Sequence, residues 1–389
     1  MKISKRANAI HPSLARDLFN KAKEYNDVID LTLGDPDFDT PTPLKNAACK
    51  AINENLTHYS CNAGLLEARI AVSKNIKKYW KIDADPTNEV MLTVGGMEAL
   101  YLALFSLIDS GDEVIVFAPY YVNYVQMIRS CDGIPVIIDA YSENYGFQLN
   151  ERKLREAITN KTVAIVLNSP CNPTGAIISK EDLHTIAKIA DEKELVIISD
   201  EVYHTLIFDN EKHESVLTFP EAKNRTVLID SMSKEFCMTG WRIGYAYAPS
   251  VLIQSMVKVQ ENIAACAPLP SQYALIEAYT NDDIQTNFAE DFQSRRDYLY
   301  DRISSINGLI CKKPQSTFYL FINISSTNMS SLDFAHKLLD TQHVAVVPGI
   351  TYGDGYSNYI RIAFTKDISI LKIACDRIEK FISTQMNNQ

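Results

Sequence analysis

Reactive residue types stand just after short apolar runs at several points of this 389-residue chain. The most prominent segment is SMSKEFCMTGWRIGY, residues 231–245, which follows the run TVLID and contains Lys234 and Arg242. A lysine amine is a nucleophile when it is neutral, and an arginine binds carboxylates and phosphates. In an α/β sheet, polar residues in such positions lie at the carboxyl ends of the strands, where ligands bind.

The spacing Ser231-Met-Ser-Lys234 is compatible with three interpretations. It fits a polar turn, the serine nucleophile of a penicillin-binding fold, or a lysine that forms an imine with a carbonyl cofactor. The penicillin-binding interpretation is disfavoured, because neither Ser-Asp-Asn nor Lys-Thr-Gly occurs later in the chain. An imine-forming lysine needs a neutral amine, which partial burial and a nearby cation such as Arg242 favour. Arg242 is also a candidate phosphate ligand.

The segment TVGGMEAL places Gly95 and Gly96 between a strand-like run and the start of a helical pattern. Backbone N–H groups at the start of a helix attract anions, so this turn is a candidate site for a small phosphate group. A plain tight turn is the alternative. Neither G-x-x-x-x-G-K-[ST] nor G-x-G-x-x-G occurs in the chain, so the sequence supports neither a P-loop nor a Rossmann dinucleotide site.

Four further polar residues are candidates for a site. Asp200 ends the run VIIS and fits a helix cap, but with Tyr203 it could also hold a heteroaromatic ring through a ring N–H⁺ and a ring hydroxyl. Tyr121 lies in the tyrosine-rich stretch APYYVNY, where core packing is the plain alternative to a place in the site. Arg361 lies inside the apolar pattern YIRIAFT and needs a carboxylate partner, which is either an internal acid or a substrate.

Short apolar runs alternate with helical patterns between residues 89 and 249. The runs are EVMLTVG, EVIVFAP, IPVIIDA, TVAIVLNSP, LVIISDE, TVLIDSMS and RIGYAYAP. This alternation predicts an α/β fold with a mostly parallel seven-stranded sheet wrapped by helices. After residue 280, a charged helix (IQTNFAEDFQSRRDYLYDRI) and three strand-like pieces (TFYLFINI, VAVVPG and YIRIAFT) predict a smaller α+β unit. We expect an N-terminal arm and the first part of the small domain at 1–45, the large domain at 46–280 and the small C-terminal domain at 281–389.

Composition excludes several classes of protein. The net charge of −10 argues against binding to nucleic acid or to an anionic membrane. No apolar run approaches the roughly 18 residues that span a bilayer, and the opening MKISKRANAIHPSL lacks the apolar region of a signal peptide. The eight cysteines include no CxxC pair, which predicts free thiols in the cytoplasm and neither a disulfide framework nor a zinc site.

Eight segments together resemble one known family, the class I/II pyridoxal-phosphate-dependent aminotransferases of fold type I, which include aspartate and aromatic aminotransferases. In chain order they are LTLGDPDFDTP, HYSCNAG, TVGGMEAL, APYYVNY, NSPCNPTG, SDEVY, SMSKEFCMTGWRIGY and YIRIAFT. They follow the order and approximate spacing of the family over nearly the whole chain. The resemblance implies the cofactor pyridoxal 5'-phosphate and transfer of an amino group from an L-amino acid to a 2-oxo acid.

The resemblance also implies a role for each matching residue. Lys234 corresponds to the Schiff-base lysine that serves as general acid and base, and Asp200 to the acid that keeps the pyridine nitrogen protonated. The residues implied to contact the remaining parts of the cofactor are Tyr203 and Asn172 at the ring 3-oxygen, Tyr121 on the ring face, and Gly95, Gly96, Met97, Ser231, Ser233 and Arg242 at the phosphate. Those implied to bind the substrate α-carboxylate are Arg361, Gly34 and Asn172. Tyr59 corresponds to a tyrosine that reaches the phosphate of the neighbouring subunit, which implies a homodimer.

Two other functions occur on related folds. Carbon–sulfur β-lyases resemble this chain but tend to carry SDEIH where it carries SDEVY, and cyclopropane-forming synthases belong to the same alternative. A ligand-sensing domain of a transcription regulator is disfavoured, because Lys234 is retained and no DNA-binding region precedes the N-terminal arm. Aspartate-using relatives often carry a lysine where this chain has Met97, so we expect aromatic or other neutral amino acids to be preferred over aspartate.

Overall fold

The seven apolar runs form one central sheet in a computed structural model of the protein, which describes residues 2–10, 18, 20–284, 286 and 288–386. In chain order, the strands are β1 (Ile29–Asp30), β2 (Val90–Thr93), β3 (Glu113–Ala118), β4 (Ile134–Asp139), β5 (Tyr141–Ser142), β6 (Gly146–Phe147), β7 (Thr162–Asn168), β8 (Val196–Asp200), β9 (Thr226–Ser231), β10 (Gly244–Tyr247), β11 (Ile310–Cys311), β12 (Tyr319–Asn323), β13 (Val344–Ala345), β14 (Val347–Pro348) and β15 (Tyr359–Ala363).

The central sheet has the strand order β2-β10-β9-β8-β7-β3-β4. Strands β9, β8, β7, β3 and β4 pair in parallel, and β10 runs antiparallel to both of its neighbours. The predicted mostly parallel seven-stranded sheet is therefore confirmed, with β10 as the exception.

Both faces of the central sheet are buried, which explains why its strands read as continuous apolar runs. Successive side chains of β3 alternate between two hydrophobic clusters. Val114 and Val116 pack with the helix Gly95–Leu107 on one face, while Ile115 and Phe117 pack with the helix Lys180–Glu192 on the other. Helices cover both faces, as an α/β fold requires.

The helices have the following bounds. They are Lys5–Ala9, Thr42–Asn53, Leu66–Trp80, Gly95–Leu107, Asn123–Ser130, Glu151–Ala157, Lys180–Glu192, Pro220–Lys223, Met232–Glu235, Ser250–Ile263, Leu269–Thr280, Phe288–Ser305, Ser331–Gln342 and Ile368–Met386. The helix that we predicted over IQTNFAEDFQSRRDYLYDRI begins at Phe288, and residues 285 and 287 of that stretch lie outside the described residues.

A second sheet forms after residue 280, with the antiparallel order β11-β12-β15-β14. Our expectation of one strand over VAVVPG was wrong. The segment divides into β13, which pairs in parallel with the N-terminal β1, and β14, which pairs with β15. The two-residue strand β11 was missed, because so short a piece carries no periodic signal. The boundaries of the two expected domains stay a prediction.

We predicted no membrane-spanning segment and free thiols. No helix among the described residues is long and apolar enough to cross a membrane. All eight cysteines, which are all described, are free thiols. The cytoplasmic location stays a prediction.

Candidate active site

The polar segments singled out in the sequence meet at one edge of the central sheet. Gly244 on β10 pairs with Thr93 at the end of β2 and with Ser231 at the end of β9. Asn168 at the end of β7 pairs with Asp200 at the end of β8. The residues that follow these strands therefore emerge side by side, as expected for the carboxyl edge of an α/β sheet.

Lys234 lies on the one-turn helix Met232–Glu235, which follows β9 directly and is capped by the Ser231 side chain. Its Nζ donates a hydrogen bond to the carbonyl oxygen of Gly34 at 2.7 Å. Phe318 lies beside the amine, with its ring centroid 5.3 Å from Nζ. The amine is therefore partly buried and held in one direction by a neutral acceptor.

The surroundings of Lys234 shift its protonation equilibrium. Burial lowers its pKa to about 8; the Asp35 carboxylate opposes this change, and the Arg361 and Arg242 guanidiniums reinforce it. We expected Arg242 to be the nearby cation, but Arg361 lowers the pKa of Lys234 more than Arg242 does. With a pKa near 8, roughly a tenth of the amine is neutral at pH 7.

Asp200 is a buried carboxyl group at the end of β8. Its Oδ2 accepts a hydrogen bond from the Tyr124 hydroxyl at 2.6 Å, and its Oδ1 accepts one from the Val202 N–H at 3.4 Å. Burial raises the pKa of Asp200 to about 6, although both hydrogen bonds oppose the shift. Residues 201–215, all described, contain no helix, so Asp200 does not serve as a helix cap.

Tyr203 lies near Asp200 and contacts the C-terminal part of the chain. Its hydroxyl is 3.1 Å from the hydroxyl of Tyr319 on β12, and its ring packs edge-on against Phe318. Burial raises the pKa of Tyr203 well above its usual value, so the phenol keeps its proton. Tyr203 can therefore donate a hydrogen bond to a ligand that enters this edge of the sheet.

Gly95 opens the helix Gly95–Leu107 with a φ of +74°, a conformation that favours glycine. A β carbon there would lie 2.6 Å from Nη2 of Arg242, so the backbone runs directly against the guanidinium. The first N–H groups of a helix have no intrahelical acceptors. A β carbon on Gly96, by contrast, would make only ordinary contacts, at 3.5 Å or more. The helix start and the cation together form an anion-binding arrangement.

Arg242 and the two serines are partly engaged within the protein. Arg242 has a φ of 52° and donates to the carbonyl oxygens of Thr239 at 3.0 Å and Val94 at 3.4 Å. The Oγ of Ser231 lies 2.8 Å from Oγ of Ser233. Both serines are buried. These contacts hold the end of β9 beside Gly95.

Met97, in the first turn of the helix Gly95–Leu107, is in contact with Tyr121, which precedes the helix Asn123–Ser130. The Tyr121 hydroxyl is 3.5 Å from the Met97 sulfur, and the Asn123 amide nitrogen is 3.4 Å from that sulfur and 2.9 Å from the hydroxyl. The Tyr121 ring packs edge-on against Tyr124. The position that follows Gly96 therefore offers a polarizable thioether and neutral polar groups.

Arg361 is buried on β15 and forms no ion pair with any described residue. Its Nη1 donates to Asn172 Oδ1 at 3.0 Å, and its Nη2 donates to the carbonyl oxygen of Thr32. Its Nε has no hydrogen-bond partner among the described atoms. Of the two partners that the sequence left open, the internal acid is excluded within the described residues, and an external carboxylate remains.

Asn172 is held in place by the loop that follows β7. Its backbone N–H donates to Asn168 Oδ1 at 2.8 Å, and the Asn168 amide donates to the carbonyl oxygen of Asp200 at 3.1 Å. Asn172 itself is buried. The loop therefore fixes the amide that contacts Arg361.

Gly34 and Tyr59 are the remaining predicted site residues. A β carbon on Gly34 would lie 1.8 Å from the Tyr319 hydroxyl, so no larger residue fits there without movement. Tyr59, in contrast, is 87% exposed, and its side chain projects from the surface of the protomer. Within one chain, the structure brings the other predicted residues together but leaves Tyr59 outside the crevice.

Three residues whose contacts shape the site were missed by sequence reasoning, and their contacts are four. They are made by Tyr124 with Asp200, by Tyr319 with Tyr203 and Arg361, and by Asn123 with Met97. Tyr124 and Asn123 stand in the stretch APYYVNY that we quoted, where the repeated polar aromatic residues were the available signal. Tyr319 lies in an apolar strand pattern that indicates only core packing.

The sequence and the fold of this chain match one family in comparisons with known proteins. The family described as aminotransferase class I and II matches residues 26–378. An aspartate aminotransferase of Pyrococcus abyssi is 38% identical over 98% of each chain, and an aromatic-amino-acid aminotransferase of Thermococcus litoralis is 36% identical over 98% of each chain.

Solved structures agree with the sequence relatives. The aromatic aminotransferase of Pyrococcus horikoshii superposes with a TM-score of 0.89 at 37% identity, covering 95% of this chain and 99% of that one. The aspartate aminotransferase of Thermus thermophilus with maleate gives a TM-score of 0.92 at 33% identity, covering 98% and 99%.

The chain therefore belongs to the class I and II aminotransferases and has the fold type I architecture. Members of this family depend on pyridoxal phosphate. The protein is a transaminase, an enzyme that transfers an amino group.

Proposed function

We propose that this transaminase binds pyridoxal 5'-phosphate at the carboxyl edge of the central sheet and transfers the amino group of a neutral or aromatic L-amino acid to a 2-oxo acid. One observation carries the proposal. Lys234 has a lowered pKa, and Arg361 is a buried cation with no acid partner among the described residues. Each donates a hydrogen bond to a carbonyl oxygen of one short segment, Lys234 to that of Gly34 and Arg361 to that of Thr32. An α-amino acid carries its amine and its carboxylate on the same carbon atom.

The residues of the crevice fit the proposed cofactor. The positive φ of Gly95 and its approach to Arg242 support a phosphate site at the helix start. The buried carboxyl of Asp200 suits a protonated ring nitrogen. Burial disfavours the ionised carboxylate, and a cation beside it would favour that form again. The residues proposed to hold the cofactor are Lys234 through its amine, Asp200, Tyr203, Asn172 and Tyr121 around the ring, and Gly95, Gly96, Met97, Ser231, Ser233 and Arg242 at the phosphate.

When bound, pyridoxal phosphate supplies an electron sink for the electrons of the substrate Cα–H bond. The proton of that bond goes to a base of the protein, and the Nζ of Lys234 is the proposed acceptor. Its lowered pKa allows the amine to take the proton and to release it again near neutral pH. A base held by the hydrogen bond to Gly34 is already positioned for this transfer.

Arg361 orients the substrate in this proposal. A planar guanidinium binds a carboxylate through two parallel hydrogen bonds, and such a pair is offered by one Nη together with Nε, which has no partner in the described part of the chain. The contacts to Asn172 and to the carbonyl of Thr32 hold the guanidinium without neutralising its charge. Arg361 thereby fixes the direction of the Cα–H bond relative to the cofactor ring.

Met97 supports a neutral or aromatic substrate. A thioether beside the Tyr121 hydroxyl and the Asn123 amide offers no cation for a second carboxylate. The names of the relatives do not decide the question, because they include both aspartate and aromatic aminotransferases. Tyr59 supports a homodimer, since an exposed aromatic residue in a matching motif suits a role at the phosphate of the partner subunit.

The proposed function is tested by spectroscopy and by chemical trapping. Purified protein mixed with pyridoxal phosphate should turn yellow, and borohydride should fix the cofactor to Lys234, as identified by peptide mass spectrometry. Lys234→Ala should lose the fixed cofactor and should lower turnover by orders of magnitude, because both the amine and the proton acceptor are removed. The exposed Lys258 supplies the control variant Lys258→Ala, which should react as the wild type does.

A half-reaction screen then identifies the substrate. Each amino acid is mixed with the cofactor-loaded enzyme, and the loss of absorbance of the aldehyde form is followed.

Wild-type turnover in Lys234→Ala would contradict the proposed function.

A further inference from the structure

Tyr319 contacts three residues to which the proposed function assigns roles. Its hydroxyl lies 3.1 Å from the hydroxyl of Tyr203. Its ring faces the guanidinium of Arg361, with 4.1 Å between the ring centroid and Cζ. The backbone of Gly34 passes so close that a β carbon there would lie 1.8 Å from the Tyr319 hydroxyl. One buried side chain therefore borders the lysine segment, the cofactor tyrosine and the carboxylate arginine.

We propose that Tyr319 is a positioning residue that acts in two directions. Its hydroxyl aligns Tyr203 toward the cofactor, and its ring aligns Arg361 toward the substrate carboxylate. This inference rests on the proposed function. Tyr319, a residue of strand β12, thereby links cofactor binding to substrate binding.

The hydrogen bond between the hydroxyls of Tyr203 and Tyr319 has a defined direction if Tyr203 donates to the cofactor. A phenol has one proton, so when Tyr203 donates to a ligand, its oxygen can only accept from a neighbour. Tyr319 is the neighbour at hydrogen-bond distance, and burial keeps both phenols protonated. Tyr319 therefore donates to Tyr203, and the Tyr203 proton stays available to the ligand.

The ring acts on Arg361 through stacking. The guanidinium contacts Asn172 and Thr32 through its two Nη atoms, and both acceptors are neutral. An aromatic face at 4.1 Å attracts the cation and restricts the plane of the guanidinium. The second ring near this group, Tyr352, is farther away at 5.4 Å. Tyr319 is thus the closer of the two rings that set the plane in which Nε can meet a carboxylate.

The strand pairing makes this contact rigid. Phe321 on β12 lies opposite Arg361 on β15, and Tyr319 lies opposite Ala363. Tyr319 is therefore the diagonal neighbour of Arg361 on the same face of the sheet, a spacing that aromatic and long side chains bridge. The contact depends on the register of two buried strands and not on a loop.

Two substitutions separate the two actions. Tyr319→Phe removes the hydroxyl and keeps the ring, so the cofactor should dissociate more readily while binding of 3-phenylpropionate, an unreactive carboxylate, should stay within about twofold of wild type. A hydrogen-bond donor favours the negatively charged form of the cofactor ring oxygen. Because Tyr319→Phe weakens the donation by Tyr203, the absorbance transition of the bound cofactor should move to higher pH. Tyr319→Leu removes the ring, and 3-phenylpropionate should then bind about 5- to 30-fold more weakly.

A matched variant and a double variant complete the test. Tyr356 is also a buried tyrosine whose hydroxyl donates a hydrogen bond, in its case to Asp139, so Tyr356→Phe should keep the wild-type absorbance transition. In Tyr203→Phe, the further change Tyr319→Phe should have little additional effect on that transition, because the hydroxyl pair is already broken.

The outcomes distinguish this inference from the proposed function. If the wild-type enzyme binds no pyridoxal phosphate, the proposed function is wrong. If the wild type binds the cofactor but Tyr319→Phe leaves both the transition and cofactor release unchanged, or changes them no more than Tyr356→Phe does, the positioning role is overturned. The Tyr319→Phe result decides this even where Tyr319→Leu does not fold.

Discussion

Lys234 and Arg361 are held by the same short segment of backbone, although 127 positions separate them in the chain. The Lys234 amine donates to the carbonyl oxygen of Gly34, and the Arg361 guanidinium donates to that of Thr32. Movement of this segment would displace the amine and the carboxylate-binding group together. The same backbone segment therefore positions the proposed base and the proposed substrate-binding group. This suits a reaction at the carbon that carries both an amine and a carboxylate.

Arg361→Lys should reduce kcat/KM for every amino-acid donor. Lysine keeps the charge but cannot form two parallel hydrogen bonds to a carboxylate. The loss of one charged hydrogen bond costs about 1.5–3 kcal/mol, so kcat/KM should fall on the order of 10- to 150-fold. Steady-state kinetics with several donors measure the effect. A fall for one donor only would indicate that Arg361 reads the side chain and not the α-carboxylate.

The rate of cofactor binding to the unliganded protein should rise with pH, with a midpoint near pH 8. Only the neutral amine attacks an aldehyde, and the pKa of Lys234 is lowered to about 8. Arg361→Gln removes a cation that lowers this pKa, so the curve should move to higher pH. Arg155→Gln, which removes a surface ion pair with Glu192, is the control and should leave the curve in place. Stopped-flow absorbance across pH 6–10 provides the measurement.

Asp200→Asn should stabilise the unliganded protein and abolish transamination. Burial raises the pKa of Asp200 to about 6 from an unfolded value of about 3.9, so the folded state binds more protons between those values. Stability therefore falls as pH rises through about 4 to 6, and the full penalty, on the order of 3 kcal/mol, applies above pH 6. Calorimetry of the unliganded forms should show a larger advantage for the variant at pH 7.5 than at pH 4.5. An equal advantage at both values would show that Asp200 is ionised without penalty.

Met97→Lys should improve the use of aspartate relative to phenylalanine. A lysine in this position could pair with a second carboxylate, and such a charged contact is worth about 1.5–3 kcal/mol, or roughly 10- to 150-fold in kcat/KM. Met97→Leu is the matched control and should keep the wild-type preference, because it preserves apolar volume without charge. The ratio of kcat/KM for the two donors is the measurement. A wild-type enzyme that already prefers aspartate would contradict the role given to Met97.

The protein should sediment at about twice its chain mass of 43.7 kDa. Tyr59 is exposed on the protomer, and in the proposed homodimer its hydroxyl reaches the phosphate of the partner subunit. Tyr59→Phe should therefore weaken cofactor retention by at most about 1.5–3 kcal/mol and leave the dimer intact. Tyr145 is also exposed, at 70%, and Tyr145→Phe should retain the cofactor as the wild type does. A fully active monomer in sedimentation velocity would contradict this prediction.

Much of the fold could be predicted from the sequence, because its signals are local. The seven strands of the central sheet are apolar runs buried on both faces, and such runs are visible without any knowledge of their partners. The candidate residues Lys234, Asp200 and Gly95 could be proposed in the same way, since each stands at the end of a strand or shortly after it, at the edge where ligands bind. The two-residue strands β11, β13 and β14 could not, because their existence depends on pairing with distant segments.

The sequence by itself determined the family, the central sheet and the residue types of the site. The tertiary structure alone decided which groups face one another. Lys234 meets Gly34 across 200 positions, Tyr203 meets Tyr319 across 116, and Arg361 meets Thr32 across 329. Hydrophobic periodicity reports the burial of a segment and not the identity of its neighbours. The burial of Arg361 without an acid partner in the described part of the chain and the lowered pKa of Lys234 arise from these distant contacts and from burial, so both exist only in the folded chain.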